Sequence, residues 1–191
     1  GPLTFALIDA INGFGYFGTG TSPGTIVKVR LSDLTRLAAL TLEVGEGPLS
    51  SAVIDLGNGY AYFGTFTGVL GNNFVVKVRL SDFSRVAALN LKGAGVPSAA
   101  VDSGNGFGYF LNYTQPGSIA KVRLSDFTIV GSLVTSIGCC LSQYQLVPEA
   151  VVIDVGNGFA YVGAFTFGGR ALLNPAYVLK VRLSDMVLVG W

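Results

Sequence analysis

Lys28-Val29-Arg30-Leu31-Ser32-Asp33 is the first of four identical hexapeptides in this chain of 191 residues. The other copies occupy residues 77–82, 121–126 and 180–185. Lysine and arginine alternate with valine and leucine, which is the period of a β-strand with one apolar face, and Ser-Asp is typical of a turn. We therefore predict that the chain consists of four copies of one unit.

The same sequence features surround each hexapeptide. A proline and a short apolar run lead to an aspartate, at position 9, 55, 102 or 154, and an Asn-Gly pair follows. An aromatic-rich run precedes the hexapeptide, and another apolar run follows it. Asn-Gly between apolar runs indicates a hairpin, for which we expect a type I′ turn with positive φ at both residues. Each unit is thus predicted to form four strands, and no segment has the period of a helix.

The repeat length indicates the architecture. The four aspartates are 46, 47 and 52 residues apart, and four-stranded repeats of this size are typical of β-propeller blades. We predict an all-β β-propeller of four tandem blades, at residues 1–46, 47–95, 96–146 and 147–191, the last incomplete. We expect the chain to be part of a larger propeller or array. A small four-bladed ring is the alternative, and a β-solenoid fits the four-strand repeat less well.

The aromatic strands resemble a known family. They read Tyr16-Phe17-Gly18-Thr19, Tyr62-Phe63-Gly64-Thr65, Tyr109-Phe110-Leu111-Asn112 and Tyr161-Val162-Gly163-Ala164. They resemble the Tyr-Val-Thr-Asn strand of the YVTN family of propeller repeats and, more loosely, NHL and WD40 blades. The resemblance covers nearly the whole chain and implies a toroidal all-β scaffold, but it implies no particular ligand. The Trp-Asp and Gly-His signatures of WD40 blades are absent.

Composition restricts the class of partner. The chain has 12 basic and 11 acidic residues, and only 12% of its residues are charged. This balance gives no electrostatic basis for binding nucleic acid, and no run of residues suits membrane insertion. The predicted partners are other protein chains or further blades of the same polypeptide, with glycans as a further candidate.

The repeated charged residues have two interpretations. They could form a ring of cations that binds anions or acidic glycans, or they could pair with one another inside the fold. Packed blade faces cannot leave such charges unpaired without a large desolvation cost, so we predict a structural charge network. Its members are Asp9, Lys28, Arg30, Asp55, Lys77, Arg79, Asp102, Lys121, Arg123, Asp154, Lys180 and Arg182.

No catalytic or metal site emerges from the residue types. Each Asp-to-Gly turn offers one carboxylate and one amide, whereas calcium requires six to eight oxygen ligands. Histidine is absent, so the usual pairing of a nucleophile with a histidine base is not available. We predict a protein that is not an enzyme and needs no cofactor. The alternative is a propeller-fold hydrolase or lyase that uses the repeated aspartates.

Function is expected in the loops that vary between units, because propellers commonly bind through variable loops on a rigid scaffold. One set of loops spans residues 20–24, 68–73, 113–117 and 167–175, and the other spans residues 43–49, 92–97 and 135–147. Both sets are expected on one face of the propeller, opposite the tight turns. The candidate contact residues are Tyr113, Tyr144, Phe167 and Arg170.

Two modification candidates remain. Cys139 and Cys140 are adjacent, so a strained bridge between them, free thiols and links to another chain all stay open. Asn112-Tyr113-Thr114 is a glycosylation sequon. We therefore predict a binding or assembly scaffold outside the cell or on its surface. A structural subunit of an extracellular filament and an intracellular protein-docking propeller are the alternatives.

Overall fold

A computed structural model describes residues 1–139, 142–166 and 176–191, without the side chains of residues 137–139 and 142–145. Every regular element in these ranges is a β-strand, and neighbouring strands pair antiparallel. The chain divides into two compact units, Gly1–Val96 and Pro97–Trp191. Among the described residues, no helix is long and apolar enough to cross a membrane.

The first unit contains two four-stranded sheets whose strands pair in chain order. Sheet 1 consists of β1 (Leu3–Asp9), β2 (Phe14–Thr19), β3 (Thr25–Arg30) and β4 (Arg36–Thr41). Sheet 2 consists of β5 (Leu49–Asp55), β6 (Tyr60–Thr65), β7 (Phe74–Arg79) and β8 (Ser84–Asn90).

The second unit also contains two sets of four strands. Sheet 3 consists of β9 (Ala99–Asp102), β10 (Phe107–Asn112), β11 (Gly117–Arg123) and β12 (Thr128–Cys139). Sheet 4 consists of β13 (Ser142–Asp154), β14 (Phe159–Thr166), β15 (Ala176–Arg182) and β16 (Val187–Gly190). The prediction of an all-β chain built from four four-stranded antiparallel sheets is confirmed.

The loop predicted at residues 135–147 is wrong. β12 and β13 continue through most of this range and pair with each other, Ser136 opposite Gln145 and Ile137 opposite Tyr144. Residues 128–137 are rich in threonine, valine and isoleucine, which favour extended backbone. The ladder satisfies backbone groups that a loop would expose, and it joins sheets 3 and 4 into one eight-stranded sheet.

The Asn-Gly pairs do join hairpins, but the predicted type I′ turn is wrong. Only the glycine has a positive φ, for example +71° at Gly13 and +73° at Gly106. The Asp9 carboxylate accepts the backbone N–H of Asn12 at 3.0 Å. This bond makes the turn an Asx-type loop of four residues, in which the asparagine has no need of left-handed backbone.

Each sheet has two different faces. The lysine face carries the hexapeptide lysine and, in β2 and its equivalents, the tyrosine; the opposite face carries the hexapeptide valine. In the first unit the lysine face of sheet 1 packs on the opposite face of sheet 2, and Tyr16 and Ile26 share a core with Phe63 and Val78. In the second unit sheet 3 packs on sheet 4 in the same way, and the shared core includes Tyr109, Ile119, Val162 and Val181.

The residue after each Ser-Asp pair has left-handed backbone despite a large apolar side chain. These four turn residues are Leu34, Phe83, Phe127 and Met186, with φ between 52° and 57°. Such backbone costs a non-glycine residue about 1–2 kcal/mol. Phe83 offsets this cost by packing its ring 5.9 Å from that of Tyr16 in sheet 1.

Candidate functional site

Each hexapeptide lysine lies over the aromatic ring of the residue that opens the neighbouring strand. The distances from Nζ to the ring centroid are 4.1 Å for Lys28 and Phe14, 4.2 Å for Lys77 and Tyr60, 4.4 Å for Lys121 and Phe107, and 4.0 Å for Lys180 and Phe159. The register explains this contact, because Lys28 pairs with Tyr16 and Phe14 is its diagonal neighbour on the same face. A partly desolvated ammonium gains a favourable cation–π interaction in this position.

Lys121 also lines two cavities of about 290 and 320 Å³ between sheets 3 and 4. Its Nζ donates a hydrogen bond of 2.6 Å to the backbone carbonyl of Leu183 in sheet 4. The ammonium is thus engaged by an aromatic ring and a carbonyl at once. We interpret Lys121 as a link between adjacent sheets rather than as a free cation for a ligand.

The repeated aspartates of the first strand are held by their own turns. Asp9, Asp55 and Asp102 are buried. In each repeat one carboxylate oxygen accepts a backbone N–H and the other accepts the side-chain amide of the same asparagine, for example Asn58 Nδ2 to Asp55 at 2.9 Å. In sheet 4 these bonds from Asn157, with a smaller effect of the Lys180 charge, hold the pKa of Asp154 below its ordinary value.

The repeated arginines pair with the aspartate of the Ser-Asp turn, at the end of the same hexapeptide. The pairs are Arg30–Asp33 at 2.9 Å, Arg79–Asp82 at 2.9 Å, Arg123–Asp126 at 2.7 Å and Arg182–Asp185 at 2.9 Å. All eight side chains are about half exposed. Exposed pairs of this kind stabilise a fold only slightly.

Tyr16 differs from the other polar residues of the lysine faces. It is fully buried, and its hydroxyl has no hydrogen-bond partner among the described residues. Burial, and to a smaller extent the negative charge of Asp9, raises the pKa of Tyr16 to about 12 from its ordinary value of 10.0. Burial and the charge of Asp102 likewise raise the pKa of Tyr109 to about 12.

We expect Tyr16→Phe to raise the free energy of unfolding by about 1 kcal/mol, because phenylalanine fills the same space without an unpaired buried hydroxyl. In the wild type, Tyr16 and Tyr109 ionise more readily in the unfolded chain than in the folded one. Their contribution to the free energy of unfolding is therefore complete below pH 10 and is lost as the pH rises towards 12. Urea unfolding at neutral and alkaline pH measures both effects, and Tyr16→Phe should reduce the alkaline loss. A variant that is less stable at neutral pH would contradict the assignment.

Asn112 lies at the end of β10 and Tyr113 follows it in the loop. Asn112 is buried, and its Nδ2 donates to Ser118 Oγ at 3.3 Å. This burial argues against a glycan there in the folded chain, and glycosylation of Asn112 stays a prediction. Tyr113 is half-buried. The side chains of Tyr144 and Cys139, and all of Cys140, Phe167 and Arg170, lie outside the described residues.

Sequence reasoning missed an exposed aliphatic surface on two loops of the first unit. Val44, Val69 and Leu70 are exposed by 95%, 61% and 70%, and we call them the loop patch. The two loops come close together, since Asn72 Oδ1 lies 3.9 Å from the point that a Cβ atom on residue 45, a glycine, would occupy. All three residues lie in the loops that vary between units, at 43–49 and 68–73.

The loop that carries Val69 and Leu70 is anchored by hydrogen bonds. Gly68 N–H donates to the Ala94 carbonyl at 3.0 Å and Gly71 N–H donates to the Gly93 carbonyl at 2.9 Å. Asn90 Nδ2 donates to the carbonyl of Gly71 at 2.9 Å. The backbone of the loop is therefore fixed while its aliphatic side chains face solvent.

A second missed feature is a buried ion pair beside the loop patch. Glu46 is only 3% exposed. The Arg85 guanidinium, in β8, donates to its carboxylate through Nε at 2.9 Å and through Nη2. Arg85 also contacts Glu43 at 3.2 Å. Three acidic residues lie outside the repeated positions: Glu43, Glu46 and Glu149. This departure from the repeat is the one sequence signal that could have identified Glu43 and Glu46.

Comparison with solved structures identifies the fold. The chain is similar to Kuenenia stuttgartiensis hydrazine synthase, with a TM-score of 0.72 and 10% sequence identity, over 93% of this chain and 50% of that chain. It is also similar to Saccharomyces cerevisiae Sqt1, with a TM-score of 0.69 and 13% identity, over 98% of this chain and 48% of that chain. These neighbours are of the propeller type. The chain has a β-propeller-like fold.

The similarity extends to the fold alone. The chain spans about half the length of each of these two structures. No family model matches the sequence and no curated protein matches it, so the resemblance to the YVTN family is not confirmed. In all, 684 solved chains match the fold, which shows that the propeller-like scaffold is common. A fold shared by so many proteins does not by itself select a function or a partner.

Proposed function

We propose that this chain is a non-enzymatic scaffold that binds protein partners through the loop patch. The observation that carries the proposal is the exposure of Val44, Val69 and Leu70 on neighbouring loops whose backbone is anchored. Clustered aliphatic side chains on a fixed backbone are typical of protein-binding surfaces, because little conformational entropy is lost on binding. The Arg85–Glu46 pair stabilises the loop that carries Val44, because the Glu46 carboxylate also accepts the backbone N–H of Glu43 at 3.1 Å.

The repeated polar residues support a role without catalysis. Each first-strand carboxylate is occupied by its own turn, each described arginine of the hexapeptide pairs with its own aspartate, and each lysine lies over a ring. These contacts engage the repeated charged groups within the fold. A location outside the cell or on its surface is part of the proposal, supported by the low fraction of charged residues.

The test compares how tightly a partner binds to the wild type, to a double variant of the loop patch and to a single control variant. We expect the double variant Val69→Glu and Leu70→Glu to weaken binding of a partner recovered by the wild-type chain by at least about tenfold, because it places two charges in an apolar contact. Ile11→Glu is the matched control, since Ile11 is an 80% exposed aliphatic residue in a tight turn. Titration by biolayer interferometry measures the Kd of each. Equal Kd values for the wild type and the loop variant would contradict the proposal.

A further inference from the structure

Within residues 1–139, 142–166 and 176–191, no sheet covers the lysine face of sheet 4. Val178 in β15 is 64% exposed, whereas Ile119, at the equivalent position of sheet 3, is completely buried beneath sheet 4. Val152 on the same face is 65% exposed. An apolar recess of about 370 Å³ lies here, lined by residues that include Ala150, Gly163 and Val178.

The opposite face of sheet 1 is exposed in part among the described residues, since Ile8 in β1 is 60% exposed. The opposite face of sheet 2, which packs on sheet 1, has Phe63, Val76, Val78 and Leu80 at its centre. The opposite face of sheet 1 has the same residue types at the equivalent positions, Phe17, Val27, Val29 and Leu31. The turn residue Leu34 is 74% exposed, although its counterpart Met186 is only 7% exposed. Leu34 therefore has left-handed backbone without the packing that offsets this cost for Phe83 and Met186.

We propose that two copies of this chain associate head to tail, with the opposite face of sheet 1 in one copy packed on the lysine face of sheet 4 in the other. The two interfaces inside the chain already show this pairing of faces. Phe5 in sheet 1 contacts Phe63 of sheet 2 at a ring distance of 5.7 Å. Sheet 4 has Ala150 at the position of Phe5, which leaves the recess into which Phe17 of the second copy fits.

The polar contact between sheets extends to the proposed interface. In the second unit Lys121 Nζ donates to the carbonyl of Leu183 on the covering sheet. Lys180 is the equivalent lysine on sheet 4, and the equivalent acceptor is the carbonyl of Leu31 in the second copy. Leu34 of that copy then covers Tyr161, as Phe83 covers Tyr16. The interface thus satisfies a charge and buries the exposed turn residue.

The two faces differ, so the interface is heterologous. A dimer keeps one unused face on each copy, the lysine face of sheet 4 on one and the opposite face of sheet 1 on the other. Further copies add at both ends, which produces a closed ring or an open filament according to the rotation between copies. This association does not involve the loop patch, and it therefore goes beyond the proposed function and can fail independently of it.

Sedimentation velocity of the 191-residue chain over a range of concentrations tests the proposal. We expect self-association, and we expect either Val178→Glu or Leu34→Asp to raise its apparent dissociation constant at least about tenfold, because each places a charge in an apolar interface. Val178 and Leu34 are exposed in the single chain, and aspartate tolerates the backbone of residue 34, so both variants should keep their fold. Ile11→Glu, outside both faces, should associate like the wild type.

Mixing the two variants distinguishes a heterologous interface from a symmetric one. The Val178→Glu variant retains an intact sheet 1 face, and the Leu34→Asp variant retains an intact sheet 4 face. We expect the mixture to form a dimer that stops at one copy of each, while each variant alone stays monomeric. A wild-type chain that is monomeric at all concentrations would overturn the proposal, as would association blocked by one substitution and unaffected by the other.

Discussion

Replacing Phe63 with alanine is expected to lower the free energy of unfolding by about 3–5 kcal/mol, the range for removing a fully buried aromatic side chain. Phe63 is completely buried between sheets 1 and 2, and its ring lies 5.7 Å from that of Phe5. Alanine leaves a cavity at the centre of this interface, and the strands on both sides are fixed by their ladders, so the site cannot collapse to fill it. Urea unfolding followed by circular dichroism gives the difference.

Phe17→Ala is the matched control for this prediction. Phe17 is the same residue type at the equivalent position of sheet 1, but it is half-buried, whereas Phe63 is completely buried. Truncation of Phe17 should lower the free energy of unfolding by less than half of the Phe63→Ala effect, since less apolar area returns to water. Equal losses of unfolding free energy for the two variants would show that Phe17 and Phe63 are buried to the same extent, which would contradict the structure.

Arg85→Met is expected to lower the free energy of unfolding by about 2–3 kcal/mol, because it leaves the buried carboxylate of Glu46 without its cation. The value is below the range for a completely buried pair, since the Arg85 side chain keeps 24% exposure and water reaches part of it. Glu46 also accepts the backbone N–H of Glu43 at 3.1 Å. Loss of the pair should therefore loosen the loop that carries Val44.

The double variant Arg85→Met and Glu46→Gln separates the charge from the packing. Glutamine keeps an oxygen for the Glu43 N–H but has no charge to desolvate, so we expect the double variant to regain more than half of the lost stability. Arg79→Met, which breaks an exposed pair with Asp82, should leave the unfolding midpoint within error of the wild type. A double variant as unstable as Arg85→Met would show that the guanidinium acts through packing and not through charge.

Most of the fold follows from local sequence patterns. The hexapeptide alternates with a period of two, and Asn-Gly and Ser-Asp mark turns at fixed offsets from it, so strand number and order could be predicted for each sheet. The turn type could not, because it depends on the bond between Asp9 and the Asn12 backbone. The continuation of β12 into residues 135–139 was missed because the prediction relied on the difference between repeats and ignored β-propensity.

The surfaces were less predictable than the fold. The position of Lys28 over Phe14 follows from strand register, which alternation alone does not determine. Arg85 and Glu46 are 39 residues apart and lie outside the repeated positions, so no spacing rule connects them. The exposure of Val69, Val178 and Leu34 depends on which sheet covers which face. That is a property of the packed chain and not of any one repeat.

The repeated charged residues either stabilise the fold or form a ring that binds a ligand. The Kd of the recovered partner, measured in parallel for two variants, distinguishes these alternatives. The first replaces all four hexapeptide arginines, Arg30, Arg79, Arg123 and Arg182, with glutamine. The second carries Val69→Glu and Leu70→Glu. We predict a Kd within about twofold of the wild type for the arginine variant and at least about tenfold weaker binding for the loop variant. Binding lost with the arginines and kept by the loop variant would contradict the account.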